Sequence, residues 1–484
     1  MSTDPPLPDP GDSPLPERLP DPPAEPDEEP LLVEPADEGH VFVAELAEPH
    51  DKAPPRRRRP VRLAGPPAPP HPGFWWAVGW CLLLLLVAQI AIPLPVLVVI
   101  LLVEAVRLGG VQEGLNWLVA NQADPALVLP LQALSHAGIF LMALLALRFA
   151  AGKDWARQVA LRLPAVVHVM LAVVGATAFW LLSAGIQLTA SRVLPSAGDL
   201  PSCVAVAAIL MLIVGGYWLA VRVTTGRDWV RDLAAAPLRT QVILGPLGVL
   251  LLLVVGVQTY QLVSPYIFRI PQLDGDFFAK TIEKVLQGPW WATLLVVAAT
   301  PMFSEEFWCR AFLGRGLVGR HGLVMGIIWT SLFFGAIHLF PQQAAMAAIL
   351  GIVLHSAYVA SRSLMIPMLM HFLNNALGVL SYKLLEQMSP ELKVVETDPE
   401  QLPGVWFVAA AFLAAAVLWA FYTSRGRLVR TDGSNEPPWQ PPFAGVAHPP
   451  PGSGTEVVYP WPGVLPTLAV IAGVVALGCA LFWA

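Results

Sequence analysis

The stretch CLLLLLVAQIAIPLPVLVVILLV (Cys81–Val103) contains no charged residue. A run of about 20 apolar residues crosses the hydrocarbon core of a bilayer as one helix, because lipid offers no partner to exposed backbone amides and carbonyls. Pro93 and Pro95 lie inside this run, so a kink or a re-entrant piece is expected there. The full segment spans 74–106. Others follow at 125–149, 165–190, 203–221, 241–264, 290–304, 322–340, 343–361, 364–384, 404–423 and 464–484. The pattern predicts an all-α, polytopic transmembrane helix bundle of about 8–11 spans.

Composition agrees. Of the 484 residues, 55% are hydrophobic and 13% are charged, roughly half the charged share of a soluble domain. The four cysteines, Cys81, Cys203, Cys309 and Cys479, lie far apart in or beside apolar stretches. That spacing is neither a disulfide framework nor a zinc pattern. The net charge of −6 reflects an acidic excess in the N-terminal tail and does not point to nucleic acid.

Residues 1–70 repeat Pro, Asp and Glu (PDPPAEPDEEP) and close on PPRRRRPVR. Such a segment buries too little apolar surface to offset its ordering entropy, so a disordered cytoplasmic tail is expected. Its stretch LLVEPADEGHVFVAELAEP reads as a spacer or as a short docking motif. No cleavable signal peptide is expected, and the first span would direct insertion. Residues 71–264 read as N-terminal spans and 265–400 as a core that carries the chemistry. Residues 401–484 read as C-terminal spans joined by a flexible, cytoplasmic, Pro-rich linker at 431–463.

Charge sets orientation. Arg56–Arg59 and Arg62 precede the first span, which places the N-terminus in the cytoplasm. Alternating from there through 11 spans puts roughly 22 basic residues inside and about 7 outside. The location expected is the cell membrane. GKDWAR at 152–157 and GRDWVR at 226–231 each precede a long apolar span. They read either as a duplicated unit or as two matching interfacial anchors. The mixed region 266–288 suits the outer interface.

Ionisable residues inside membrane spans are costly and mark function by default. Here they gather in three neighbouring segments. TPMFSEEFWCRAFL holds Glu305, Glu306 and Arg310. Glu306 and Arg310 are four apart and can pair on a helix. Glu305 points about 100° away and is free for another partner. SLFFGAIHLF holds Phe334 and His338, and MLMHFLNNALGVL holds His371 and Asn375 on one helix face. Singly, each has a plain reading: an interfacial charge pair, a packed histidine, an interhelical polar contact. Together, two glutamates, an arginine, two histidines and an asparagine in adjacent spans are poorly explained as packing.

The order Glu305-Glu306-xxx-Arg310, then Phe334-xxx-His338, then His371-xxx-Asn375 resembles the CPBP family of intramembrane glutamic endopeptidases, the CAAX protease and bacteriocin-processing superfamily. The run GIVLHSAYVASRSLMIPMLMH into the last motif is similar too. The resemblance covers about residues 285–385. It departs from the family pattern at Trp308, Cys309 and Ala311, around a retained arginine. It implies an intramembrane endopeptidase that acts on a membrane-associated peptide or protein. Glu305 would be the general base, with His338 holding the attacking water. Glu306 and Arg310 would form an orienting ion pair, and His371 and Asn375 would donate to the oxyanion.

No cofactor is implied. Zinc on Glu305, His338 and His371, with His355 as a spare, stays open as a metalloprotease with the same substrates, although the HExxH spacing is absent. His355, His136 and His168 read as structural or as facing cavities. Cys309 as a thiol nucleophile has nothing nearby to activate it. A non-catalytic membrane scaffold or immunity-type protein, and a transporter, are the other classes. The complete motif set argues against the first, and the scarcity of charge in 125–264 against the second. Substrate identity and oligomeric state are not legible.

Overall fold

A computed structural model describes residues 71–193, 282–338, 341–388, 404–432 and 446–482. The acidic tail, the segments at 203–221 and 241–264, the GRDWVR motif, Cys203 and most of the 266–288 stretch lie outside the described residues.

Among the described residues the chain is helical apart from one two-stranded hairpin. Helices α1 (Phe74–Leu86) and α2 (Pro93–Leu108) are joined by a π-helical turn at Val87–Ala91. Then follow α3 (Val111–Ala120), α4 (Pro125–Ala151), the short α5 (Trp155–Gln158) and α6 (Val166–Val193). One long rod comes next: α7 (Trp290–Thr293), a π-helix at Leu294–Ala299, α8 (Thr300–Glu306), a second π-helix at Phe307–Gly314, and α9 (Arg315–His321). It is followed by α10 (Leu323–Ala336), α11 (Pro341–Ser361), α12 (Met365–Met388) and α13 (Gly404–Thr423). Strands β1 (Arg427–Arg430) and β2 (Thr455–Val458) pair antiparallel, Arg427 opposite Val458, before α14 (Val464–Phe482).

Each apolar segment of the sequence that falls on described residues carries a helix. Pro125–Gln158, Val166–Gly185, Gly404–Thr423 and Val464–Leu481 are long and apolar enough to cross a bilayer, and the bent pair α2–α3 makes a fifth if it is one broken span. The chain is a helical membrane protein. Its lipid-type exterior shows in side chains such as Val106 and Phe149, 85% and 87% exposed although apolar.

The sharpest break lies just beyond the first segment and not at its prolines. Pro93 opens α2, where a missing N–H costs nothing. The chain reverses instead at Gly109, whose φ of 89° is open to glycine, and α3 leaves at 118° to α2.

The two larger of four apolar clusters organise most of the described helices. One joins α1, α4, the long rod and α10 around Trp308, Phe312 and Leu313. Trp308 is fully buried, edge-on to Trp80 at 5.8 Å, which absorbs the bulk that departs from the family pattern. The other joins α6, α11, α12, α13 and α14 through small residues such as Ala172, Ala357, Ala410 and Ala414. Small side chains let membrane helices approach closely and gain dispersion contacts.

Of the Pro-rich linker expected to be a free tether, 433–445 lie outside the described residues. Residues 446–459 are clasped to the bundle end. Arg162 donates to His448 Nδ1 at 3.0 Å and to the Tyr459 hydroxyl. His448 Nε2 then donates to the Arg362 carbonyl at 3.1 Å, and Arg362 donates to the Ala447 carbonyl. The arginines come from loops distant in sequence, so composition alone could not reveal their grip. Burial, and then the charges of Arg162 and Arg362, lower the His448 pKa to about 4.

Candidate active site

The long rod sets the first glutamates. Glu305 and Glu306 close α8, and the second π-helix begins with the next residue. π segments widen a helix by one residue per turn and are frequent at functional sites. The rod runs on past Arg310 to His321, so the glutamates sit within it and not at its end. Gly322, with φ 77°, turns the chain back into α10. Glu305 and His338 lie nearly equally far along the two limbs of this hairpin. That removes the mismatch in depth which a helix ending at Arg310 would create.

Glu306 and Arg310 are wholly buried and paired at 2.8 Å. The same carboxylate oxygen, Oε1, accepts from His371 Nδ1 at 2.8 Å. Arg310 also donates to the Gly351 carbonyl at 3.3 Å. Its guanidinium lies 4.2 Å from the centre of the Phe334 ring. A cation over an aromatic face is favoured, more so when desolvated. Phe334 also meets His338 and His371 edge-on, at 5.1 and 5.7 Å. One ring thus spaces three polar groups, which is a physical reason for an aromatic residue four before His338.

Glu305 lies beside this pair. Its Oε2 is 3.8 Å from His338 Nε2 and 3.9 Å from His371 Nε2. The histidines' other nitrogens are committed. His338 Nδ1 is 2.8 Å from the Phe334 carbonyl, which can only accept. His371 Nδ1 faces the Glu306 carboxylate, which also pairs with Arg310. Both Nδ1 atoms therefore carry a hydrogen, and both Nε2 atoms turn toward Glu305. The gaps are too long for direct hydrogen bonds and suit one small molecule held between carboxylate and imidazoles.

Zinc fits this set poorly. Donors of a tetrahedral zinc centre stand about 3.3 Å apart, given bonds of about 2 Å. The separations here are longer, and among the described residues no group of three or more His, Cys, Asp or Glu side chains is arranged to hold a metal ion.

Asn375, expected with His371 as an oxyanion donor, gives one amide N–H to the Val297 carbonyl at 3.0 Å. Pro301 has no N–H to offer that carbonyl one turn back, so Asn375 supplies a donor. Its Oδ1 accepts from Asn374 at 3.2 Å.

Glu305, Glu306, Arg310, His338 and His371 thus come together, and Asn375 stands one turn further along α12. His355 is buried beside Gly314 and Tyr358, away from Glu305. His168 is buried against Phe421 and Ser424. Cys309 is fully buried in the first core, inaccessible to a substrate.

Residues 287–377 match the family model described as Rce1-like, type II CAAX prenyl endopeptidase. Over that segment the chain is similar to this family. No curated protein and no solved structure matches it. The Rce1-like segment contains every charged and aromatic residue of the cluster described above. The description of that family is that of an endopeptidase. The spans before residue 287 and after 377 lie beyond the match.

Proposed function

We propose that this chain is an intramembrane endopeptidase that hydrolyses a peptide bond with water activated by Glu305. The observation that carries the reading is the shared focus of Glu305 Oε2, His338 Nε2 and His371 Nε2, with every opposite imidazole nitrogen tied to a fixed acceptor. A water placed there gives a proton to Glu305, and its oxygen attacks the scissile carbonyl. Glu306 pairs with Arg310 and orients His371. Low surrounding polarity strengthens each of these interactions, and general-base catalysis typically contributes about 10²–10⁴-fold. Asn375 has a second amide N–H beyond the one given to Val297, and this can meet the developing oxyanion.

Metal-free activation, a substrate with its cleavable bond at the membrane, and a cytoplasmic N-terminus belong to the same proposal. A non-catalytic scaffold would leave the buried, mutually oriented glutamates without a purpose to offset their desolvation. The test is cleavage of a prenylated, CAAX-type peptide by purified protein in detergent. Wild-type turnover with none for Glu305→Gln, at equal yield and thermal stability, is the expected result. Full turnover by Glu305→Gln would refute the glutamate-base reading. Cysteine labelling at Arg57 and Glu396 should report opposite sides of the membrane.

A further inference from the structure

Three arginines gather where the long rod finishes, and they gather without an acidic residue. The loop between α5 and α6 is their hub. Arg315, in α9, donates to the Gln158 carbonyl at 2.6 Å. Ser363, beside Arg362, donates to the Arg162 carbonyl at 2.7 Å, and the Leu364 amide donates to the Ala160 carbonyl at 3.0 Å. Tyr459 links the other two arginines. Its ring centre lies 5.2 Å from the Arg162 guanidinium, and its edge borders the same space beside Gly426 as the Arg362 stem.

Buried cations are normally paired. Arg315 is 3% exposed and Arg362 7%, while Arg162 is half-buried. Among the described residues, no Asp or Glu forms an ion pair with any of the three. Neutral acceptors leave part of their hydrogen-bonding capacity unused. Nε and Nη2 of Arg315, Nε of Arg362 and Nε of Arg162 are buried with no partner. A buried N–H without a partner is costly, and a bound ion is one way to satisfy it. Backbone strain marks the same place. Among the described residues, those other than glycine with positive φ are Ala160, at 52°, and Arg362, at 47°. Such backbone is unfavourable for a residue with a Cβ and recurs at ligand clamps.

Tryptophans give the depth. Trp75 and Trp76 are exposed just after His71, whose carbonyl accepts from Arg320 near the end of the rod. Trp461, also exposed, follows Tyr459 by two residues. Trp290 and Trp291 are exposed at the opposite end of the rod. Indoles settle at the two membrane–water boundaries, so the arginines lie at headgroup level.

We propose that Arg162, Arg315 and Arg362 form a binding site for a phosphate group that carries no cation of its own, presented by an anionic lipid headgroup or taken up as free phosphate. Phosphate oxygens accept several N–H groups at once and supply the negative charge the cluster lacks, and the planar guanidinium fork suits them. The phosphate of phosphatidylcholine already faces its own ammonium and competes poorly. The site is distinct from the peptidase centre, since Arg315 lies ten residues beyond Glu305, roughly 15 Å along the rod.

The test needs no turnover. Full-length protein is stripped of lipid in a neutral detergent, and its unfolding midpoint is followed against phosphatidylglycerol, phosphatidylcholine and inorganic phosphate at fixed ionic strength. A saturable rise with phosphatidylglycerol, and none with phosphatidylcholine, is expected. A rise with phosphatidylglycerol alone assigns the site to lipid, and a rise with inorganic phosphate assigns it to the free anion. Arg315→Met and Arg362→Met should weaken that binding about 10–100-fold. Arg427→Gln, an exposed arginine of β1, should weaken it less than about fivefold. No saturable rise with either phosphate compound overturns the proposal. So does an equal response to phosphatidylcholine, or an equal loss in all three variants, which would show diffuse surface attraction. A lowered midpoint in Arg315→Met and Arg362→Met with an unchanged response to phosphate overturns it by showing a structural role. If those two variants do not fold, the wild type decides. Native mass spectrometry of wild type given equal amounts of both lipids must then retain one phosphatidylglycerol in preference to phosphatidylcholine, or one inorganic phosphate, and retention of neither overturns the site.

Discussion

His371 and Glu306, 65 positions apart in the chain, are joined by a fully buried hydrogen bond of 2.8 Å. The same carboxylate oxygen takes the Arg310 guanidinium, so one atom ties α12 to the long rod. Removing the carboxylate would leave a buried cation without its counter-charge. Glu306→Ala should therefore cost about 3–5 kcal/mol of stability, measured as a lowered unfolding midpoint in detergent. The double change Glu306→Gln with Arg310→Met should cost less than Glu306→Ala alone, because no charge is then stranded.

Asn375→Ala separates two duties. Loss of one oxyanion donor typically costs about 100-fold in kcat. Loss of the bond to the Val297 carbonyl would show as lowered stability of about 1–3 kcal/mol. Both effects are expected together, and Asn375→Asp should restore neither, since its carboxylate has no N–H to give.

Activity should survive prolonged treatment with a strong chelator, and added zinc should not raise it. The Glu305–His338–His371 separations are the reason. Chelator inactivation reversed by zinc would replace this expectation with a metalloprotease.

The His448 clasp makes a pH prediction. Its folded pKa, about 4, lies below the unfolded histidine value of about 6.5. Between these values the unfolded chain binds a proton that the folded one refuses, so stability falls as pH drops from about 6.5 toward 4. Above 6.5 both states are neutral and this contribution is flat. His448→Gln should flatten the acid side of an unfolding-midpoint curve, leaving turnover at neutral pH unchanged.

Much of this arrangement is legible in the sequence because it rests on spacing. Four-residue intervals put Glu306 with Arg310 and Phe334 with His338, and apolar runs mark the helices that carry them. Three features do not follow from spacing. The π-helices at Leu294–Ala299 and Phe307–Gly314 are choices of backbone hydrogen bonding, and their side chains resemble those of any buried helix. His136, whose Nδ1 lies 2.8 Å from Ser304 Oγ, is outside the motif segment and bears no fixed interval to it, so a lone histidine on an apolar helix reads as packing. Residues 446–459 read as tether because proline dominates there, while what holds them is Arg162 and Arg362. The bond from Asn375 to Val297 had a visible cue, Pro301 placed four residues after Val297.

The π-helix after Glu306 also has a genetic meaning. An α-helix turns by about 100° per residue, so deleting one residue between 311 and 314 would relax the widened turn into ordinary α register. Because the widened turn itself takes up the extra residue, Arg315, Gly316 and Leu317 beyond it would keep the surfaces they now bury against. In a regular α-helix the same deletion would instead swing everything beyond it by that angle. In this rod, an alignment gap of one position would separate sequences that keep the widened turn after the glutamates from sequences with a regular α-helix there, even where every motif letter is identical.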